Sequence, residues 1–197
     1  AIETEFFRLG QIPCWFVPAS CSQILYLKAY WDLSGLPLRL YPYASILASV
    51  LGRMNTEHFT YEDLSSEIHI RTGGMSVSVN VLERMDHSFR VEMQVDAKSL
   101  ASESEVMTSL VLEILRTTKL DDEKRLREIL DEEYSQMESE MDEAGHAIAL
   151  QRAMAGLSKA ALAGQYLSGV DKILIIKKLL NHYEERKEEL IASLNEV

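Results

Sequence analysis

The chain is short of almost everything that advertises chemistry. Of its five histidines, His58, His69, His87, His146 and His182, no two stand three or four residues apart, so no helix can offer a metal a paired imidazole face. Each reads as a surface or half-buried histidine. There are two cysteines, Cys14 and Cys21. They can close one short loop as a disulfide or stand as two small, partly buried apolar residues, and neither lies in a recognisable nucleophile context. One cysteine pair without a disulfide-dense pattern suits a reducing compartment at least as well as an oxidising one. Ser65, Ser66, Ser76 and Ser78 lack a G-x-S-x-G elbow, which argues against a serine hydrolase. Thr72-Gly73-Gly74 is followed by no lysine at P-loop spacing, so the glycine pair reads as a helix stop and a tight entry into a strand.

Positive charge is also scarce. Lys and Arg number 20 against 31 Asp and Glu, a net charge of −11, whereas a sequence-independent grip on nucleic acid needs clustered cations to displace counterions. No nucleic-acid partner is expected. No apolar run approaches the length of about 20 residues that spans a bilayer, and the opening AIETEFFRLG carries acid where a secretory signal would carry base. These absences predict a soluble chain with no membrane partner, cytoplasmic rather than secreted. Ala1 is not preceded by a methionine, which suggests a piece excised from a longer protein. With no internal repeat and no low-complexity linker, residues 1–197 are predicted to form a single domain, long enough to bury a core without staples.

What is present is strong periodicity. Glu5 to Arg8 and Cys14 to Val17 are short apolar runs broken at Gly10 and Pro13, consistent with a small hairpin. Gln23 to Asp32 is apolar and aromatic on both sides, which predicts a central strand covered on both faces. From Pro37, the apolar positions Leu40, Tyr43, Ala44, Leu47, Val50 and Leu51 recur at helical intervals. Thr60 is placed to cap a second helix, with Asp63 as the reciprocal acid of a capping box, and that helix runs through Ile68 and ends before Gly73. MSVSVNVLE and SFRVEMQVDA alternate as two antiparallel strands joined by the short RMDH connection.

Beyond Ser99 the pattern turns helical. Val106, Leu110, Val111, Ile114 and Leu115 form one stripe. The segment from Asp121 to Glu143 holds most of the excess acid, yet Leu126, Ile129, Leu130, Tyr134, Met137 and Met141 keep helical spacing, so its charge reads as the solvated face of an amphipathic helix. The alternative is a wall that attracts basic peptides. An alanine-rich stretch from Ala144 to Ala163 allows close helix packing, and a last helix is predicted from Asp171 to Leu194. Met75, Met93, Met107, Met137 and Met141 read as core fill. The order predicts an α+β fold, a mainly antiparallel sheet with helices packed on one face.

Particular residues along this order carry a resemblance. They are the strand ending in Asp32, Leu36-Pro37, Pro42-Tyr43, Asn55-Thr56, Tyr61-Glu62-Asp63-Leu64, and Thr72-Gly73-Gly74 leading into a strand. Their order and spacing, from about Gln23 to Met141, resemble the half-domain of insulinase-type zinc peptidases, most closely the presequence-protease branch. In such inverted zincins a helix carries H-x-x-E-H, two zinc ligands around a general base. Counted back from Asn55-Thr56, the matching positions are Ile46, Ser49 and Val50. Ile and Val have no lone pair for a metal, and a Ser hydroxyl is a poor general base at neutral pH. The third ligand of that family, a downstream Glu, would fall at Glu132 or Glu133, with no histidine pair to complete.

The resemblance therefore implies a half-domain that has kept the fold and lost the metal, the first half-domain of a C-terminal half. It implies no catalytic, cofactor-binding or metal-ligating residue in this segment. Zinc is expected in another domain of the parent protein, and the partners implied are other half-domains of the same polypeptide and an unfolded peptide substrate. Two other functions fit the residues: a stand-alone inactive scaffold or partner subunit of a two-chain peptidase, and a peptide-binding module whose sheet edge accepts an extended strand.

Overall fold

The computed structural model describes residues 3–20, 22–86 and 88–197. Cys21 and His87 fall outside them, so the Cys14–Cys21 pairing and the character of His87 lie outside the described residues. The elements are β1 (Glu5–Leu9), β2 (Ile12–Phe16), β3 (Ile24–Asp32), α1 (Tyr41–Val50), α2 (Tyr61–Arg71), β4 (Gly74–Glu83), β5 (Phe89–Leu100), α3 (Ser104–Thr117), α4 (Glu123–Met154), α5 (Lys159–Ser168), α6 (Val170–Asn181) and α7 (Tyr183–Glu196). This is the expected α+β order. Among the described residues, no helix is long and apolar enough to cross a membrane.

The main sheet has three strands in the order β3-β5-β4, all antiparallel, with Val77 opposite Val95 and Ala29 opposite Val95 on its other side. Alternation assigns its two faces. Val77, Val79, Val91, Val95 and Ala97 point one way, and the residues that cover them come from α1, α3 and α5. Tyr26, Lys28, Ser76, Gln94 and Asp96 point the other way, to an open polar face, so the helices do pack on one side. The prediction for β3 needs correction. It lies at an edge, not in the centre, and Tyr26 and Tyr30 are more than half exposed. Its two-sided apolar character misled because burial was inferred from composition, and nothing among the described residues covers its outer side.

β1 and β2 form a separate two-stranded ribbon turned at Gly10, whose φ of 62° suits a residue without a Cβ. Phe6 and Trp15 pack across it with tilted rings, centroids 5.3 Å apart, yet both are more than half exposed, as are Leu9 and Ile12. Phe6 and Trp15 occupy one face, and Phe7, Leu9, Ile12 and Phe16 the other, so the ribbon is apolar on both sides. None of its residues belongs to a core cluster.

The largest core lies among helices. Ile46 and Val50 of α1, Leu126, Ile129 and Leu130 of α4, Ile176 and Leu179 of α6, and Leu190 of α7 are all sealed from solvent. Leu40 is fully buried, while Leu47 and Leu51 are half-buried against the clusters. Met107 is buried, and Met75, Met93 and Met137 pack against cores. Met141 does not, because the acidic helix has run past the body by that point and leaves it 37% exposed. That helix also continues through the alanine-rich stretch as far as Met154, with a kink at Ala144 (φ −125°). The single last helix is in fact two, α6 and α7, broken at His182, whose φ of −126° and ψ of 36° are not helical. Periodicity did not reveal the break because the apolar stripe resumes in phase at Tyr183 and Leu190.

Thr60 caps α2 as predicted: its hydroxyl accepts from the Asp63 amide at 3.2 Å. The reciprocal half differs. The Asp63 carboxylate accepts from the Thr60 hydroxyl at 2.8 Å, one methylene short of the reach a Glu has to the backbone. Thr60→Ala is expected to cost about 1 kcal/mol, read as a lower urea midpoint at unchanged slope.

Candidate functional site

The positions that would carry a zinc motif all face one place, the contact between α1, α4 and α6. Ile46 and Val50 are fully buried against Leu126, Ile129, Leu130 and Ile176. Ser49, between them, turns its hydroxyl to Glu133 of α4: Ser49 Oγ donates to Glu133 Oε2 at 2.8 Å and also lies 2.8 Å from the Ile46 carbonyl. Of the two acids considered for a third ligand, the structure brings Glu133 here and sends Glu132 outwards, where it pairs with Arg53.

The remaining Glu133 oxygen, Oε1, accepts from the ammonium of Lys172 on α6, which also donates to Ser45 Oγ at 2.8 Å. The Lys172 side chain is 8% exposed and that of Glu133 13%, and among the described ion pairs no other has both partners so covered. Lys172 escaped the sequence reading. A signal was present, because Lys172, Ile176, Leu179 and Tyr183 fall on one helical stripe whose other three members are buried.

These residues do not fit zinc. A structural or catalytic zinc takes three or four N, S or carboxylate O donors. Here Ile46 and Val50 have none, Ser45 and Ser49 are neutral hydroxyls, and both oxygens of Glu133 are engaged. Among the described residues, no group of three or more His, Cys, Asp and Glu lies close enough to hold a metal. The histidines are dispersed. His58 Nδ1 lies 3.0 Å from Glu113, His69 Nδ1 lies 2.6 Å from the Ser65 carbonyl, His182 pairs with Glu185, and His146 is exposed.

The loop after α1 shows what Asn55-Thr56 does in this chain. The Asn55 side chain accepts from the Tyr61 amide at 2.8 Å and donates to Asp122 at 3.2 Å, tying α1 to the starts of α2 and α4. Arg125 stacks over Tyr61, 4.2 Å from the ring centroid, and reaches the Arg53 carbonyl. Glu113 of α3 anchors the same loop. Burial pushes its carboxyl up, but hydrogen bonds from the Thr56 and Thr117 hydroxyls and from the His58 amide and ring more than offset this and hold it at about 2. A carboxyl depressed in the folded state adds stability above its ordinary value of 4.5, and that stability fades as pH falls towards about 2. Glu113→Gln should therefore lose less stability than the native chain when acidified from about pH 5 to about pH 2, as followed by circular dichroism with urea.

Thr72-Gly73-Gly74 acts as a stop. The Gly73 amide donates to the Lys98 carbonyl at 2.7 Å, and a Cβ on Gly73 would meet the Lys98 side chain at 3.1 Å. The hollow beside it, about 340 Å³ on the open sheet face, is lined by Tyr26, Lys28, Ser76, Asp96 and Lys98 and holds no nucleophile with a base.

An α+β half-domain with a zincin-like helix, its two histidine positions filled by Ile46 and Val50, defines a non-catalytic member of a peptidase fold. The family described as Peptidase M-16C associated matches residues 1–179, and the chain belongs to that family. It is similar to Protein HypA of Clostridium perfringens, 28% identical over 178 residues, covering 89% of this chain and 18% of that protein. It is similar also to the mitochondrial presequence proteases of Xenopus tropicalis (27% over 172 residues; 86% and 17% covered) and Yarrowia lipolytica (26% over 182 residues; 91% and 18%). The chain thus spans less than a fifth of these relatives. A conserved protein from Enterococcus faecalis V583 shares the fold, with a TM-score of 0.55 at 12% identity over 83% of this chain and 40% of that one.

Proposed function

We propose that this chain is a non-catalytic, chamber-forming domain of a longer zinc-dependent metalloendopeptidase that degrades unfolded peptides, with the zinc held in another domain of the same polypeptide. The observation that carries this reading is the burial of Ile46 and Val50: the helix that bears the ligands in a catalytic half-domain here uses those positions for core packing. The names of the relatives, presequence proteases, support the peptidase setting. The apolar ribbon β1–β2 and the open edge of β3 support the partners, since an isolated two-stranded ribbon is marginal in water and these side chains need cover. Other half-domains of the parent provide that cover, and the acidic outer face of α4 gives a passing basic peptide a favourable field.

The test is metal and activity analysis at two lengths. The purified chain is expected to carry no stoichiometric zinc by plasma mass spectrometry and to leave an unfolded peptide uncut, while the native gene product is longer and carries zinc. Stoichiometric zinc in the chain alone, or a native polypeptide no longer than this one, overturns the reading.

A further inference from the structure

We propose that the ammonium of Lys172 stands in for a metal ion, as a tethered cation that neutralises Glu133 and ties α1, α4 and α6 together without zinc. The geometry is that of a small ion site. One carboxylate lies between helices with each oxygen assigned, Oε1 to the ammonium and Oε2 to Ser49, while Ser45 takes a second ammonium proton. The hydroxyls of Ser45 and Ser49 come from α1, the carboxylate from α4 and the cation from α6, so one charge pair joins three elements.

Charge balance explains the choice of ion. A divalent metal beside one carboxylate and two neutral hydroxyls would leave excess positive charge against a core of Ile46, Val50 and Ile176, where an uncompensated charge is costly. An ammonium matches one carboxylate charge for charge. Its four-carbon stem lies among apolar neighbours, so the cation arrives with the fold and is not taken from solution. The other described ion pairs each have at least one partner more than a third exposed and contribute little. The Lys172–Glu133 pair differs in kind, because removing either partner strands the other.

This inference rests on the non-catalytic reading, yet the two fail separately: zinc in the purified chain sinks that reading, whereas the variants below address Lys172 itself. Lys172→Met and Glu133→Met are each expected to lower the thermal midpoint by roughly 10 °C, and Lys172→Met combined with Glu133→Met is expected to recover most of that loss. A second arm installs Ile46→His and Val50→His and follows Co²⁺ binding by visible absorption. With Lys172 present no Co²⁺ is expected to bind, because the ammonium occupies the carboxylate. With Lys172→Ala added, one Co²⁺ per chain is expected. Unchanged stability of Lys172→Met, or a combined methionine variant no better than the singles, overturns the structural role, and the methionine arm decides the matter if the histidine variants fail to fold. Equal Co²⁺ uptake with and without Lys172, or none by a folded Lys172→Ala variant, overturns the claim that lysine holds the ion's place.

Discussion

Replacing Ile46 and Val50 together by histidine is expected to unfold most of the chain and not to equip it with zinc. Both side chains are fully buried, at the meeting of α1 with α4 and α6. Each loses the burial energy of a large aliphatic group, about 1.5–3 kcal/mol, and each imidazole brings polar nitrogens that find no partner among Leu126, Ile129 and Leu130, at about 1–3 kcal/mol more. The sum, on the order of 5 kcal/mol or above, compares with the whole stability of a typical domain, about 5–15 kcal/mol. Added zinc is expected to recover little, since the carboxylate that would complete the site is held by Lys172. Far-UV circular dichroism and a urea titration, with and without zinc, measure this. A folded double variant that binds zinc tightly would contradict it.

The second large effect is expected at Gly169, which ends α5 and opens α6. Its φ of −94° is one any residue adopts, so the need for glycine is one of space. A Cβ there would lie 1.8 Å from Gln165 Oε1 and 2.9 Å from the Gln165 carbonyl oxygen. The Gln165 side chain cannot swing clear, because it is completely buried, with neither end of its amide hydrogen-bonded. The carbonyl cannot move either without loosening the Gly169 amide bond to it at 3.0 Å. Gly169→Ala should therefore destabilise by about 3 kcal/mol, the upper range for overpacking. Adding Gln165→Ala removes the side-chain clash and should return part of the loss, while Gln165→Ala alone should cost little, because an unsatisfied amide leaves with it. Thermal melts of the three variants check the ordering.

Much of the fold was legible because it depends on local signals. The β4–β5 pair alternates strictly, Thr60 caps where it stands, and the two glycines after Thr72 stop α2. The loss of the metal motif at Ile46, Ser49 and Val50 was equally plain. What sequence could not give is what depends on which elements meet. The choice between Glu132 and Glu133 turns on which face of α4 meets α1, and adjacent helical residues point about 100° apart. Lys172 comes from a helix 39 residues beyond Glu133, and nothing in its own neighbourhood announces an ion partner. The edge position of β3 was missed for a related reason: an apolar strand reads the same whether its cover lies within the chain or beyond it.

The two-faced ribbon at the start also bears on what happens when this segment is cut loose. A strand pair with aromatic side chains above and below, and unpaired backbone along both edges, is a template for joining like to like. Proteolysis that freed the segment from its covering neighbours would turn an interface into an adhesive, and the nearest complementary surface in a concentrated sample is the same ribbon on another copy. The net charge of −11 opposes that encounter at low ionic strength, and salt would remove the protection.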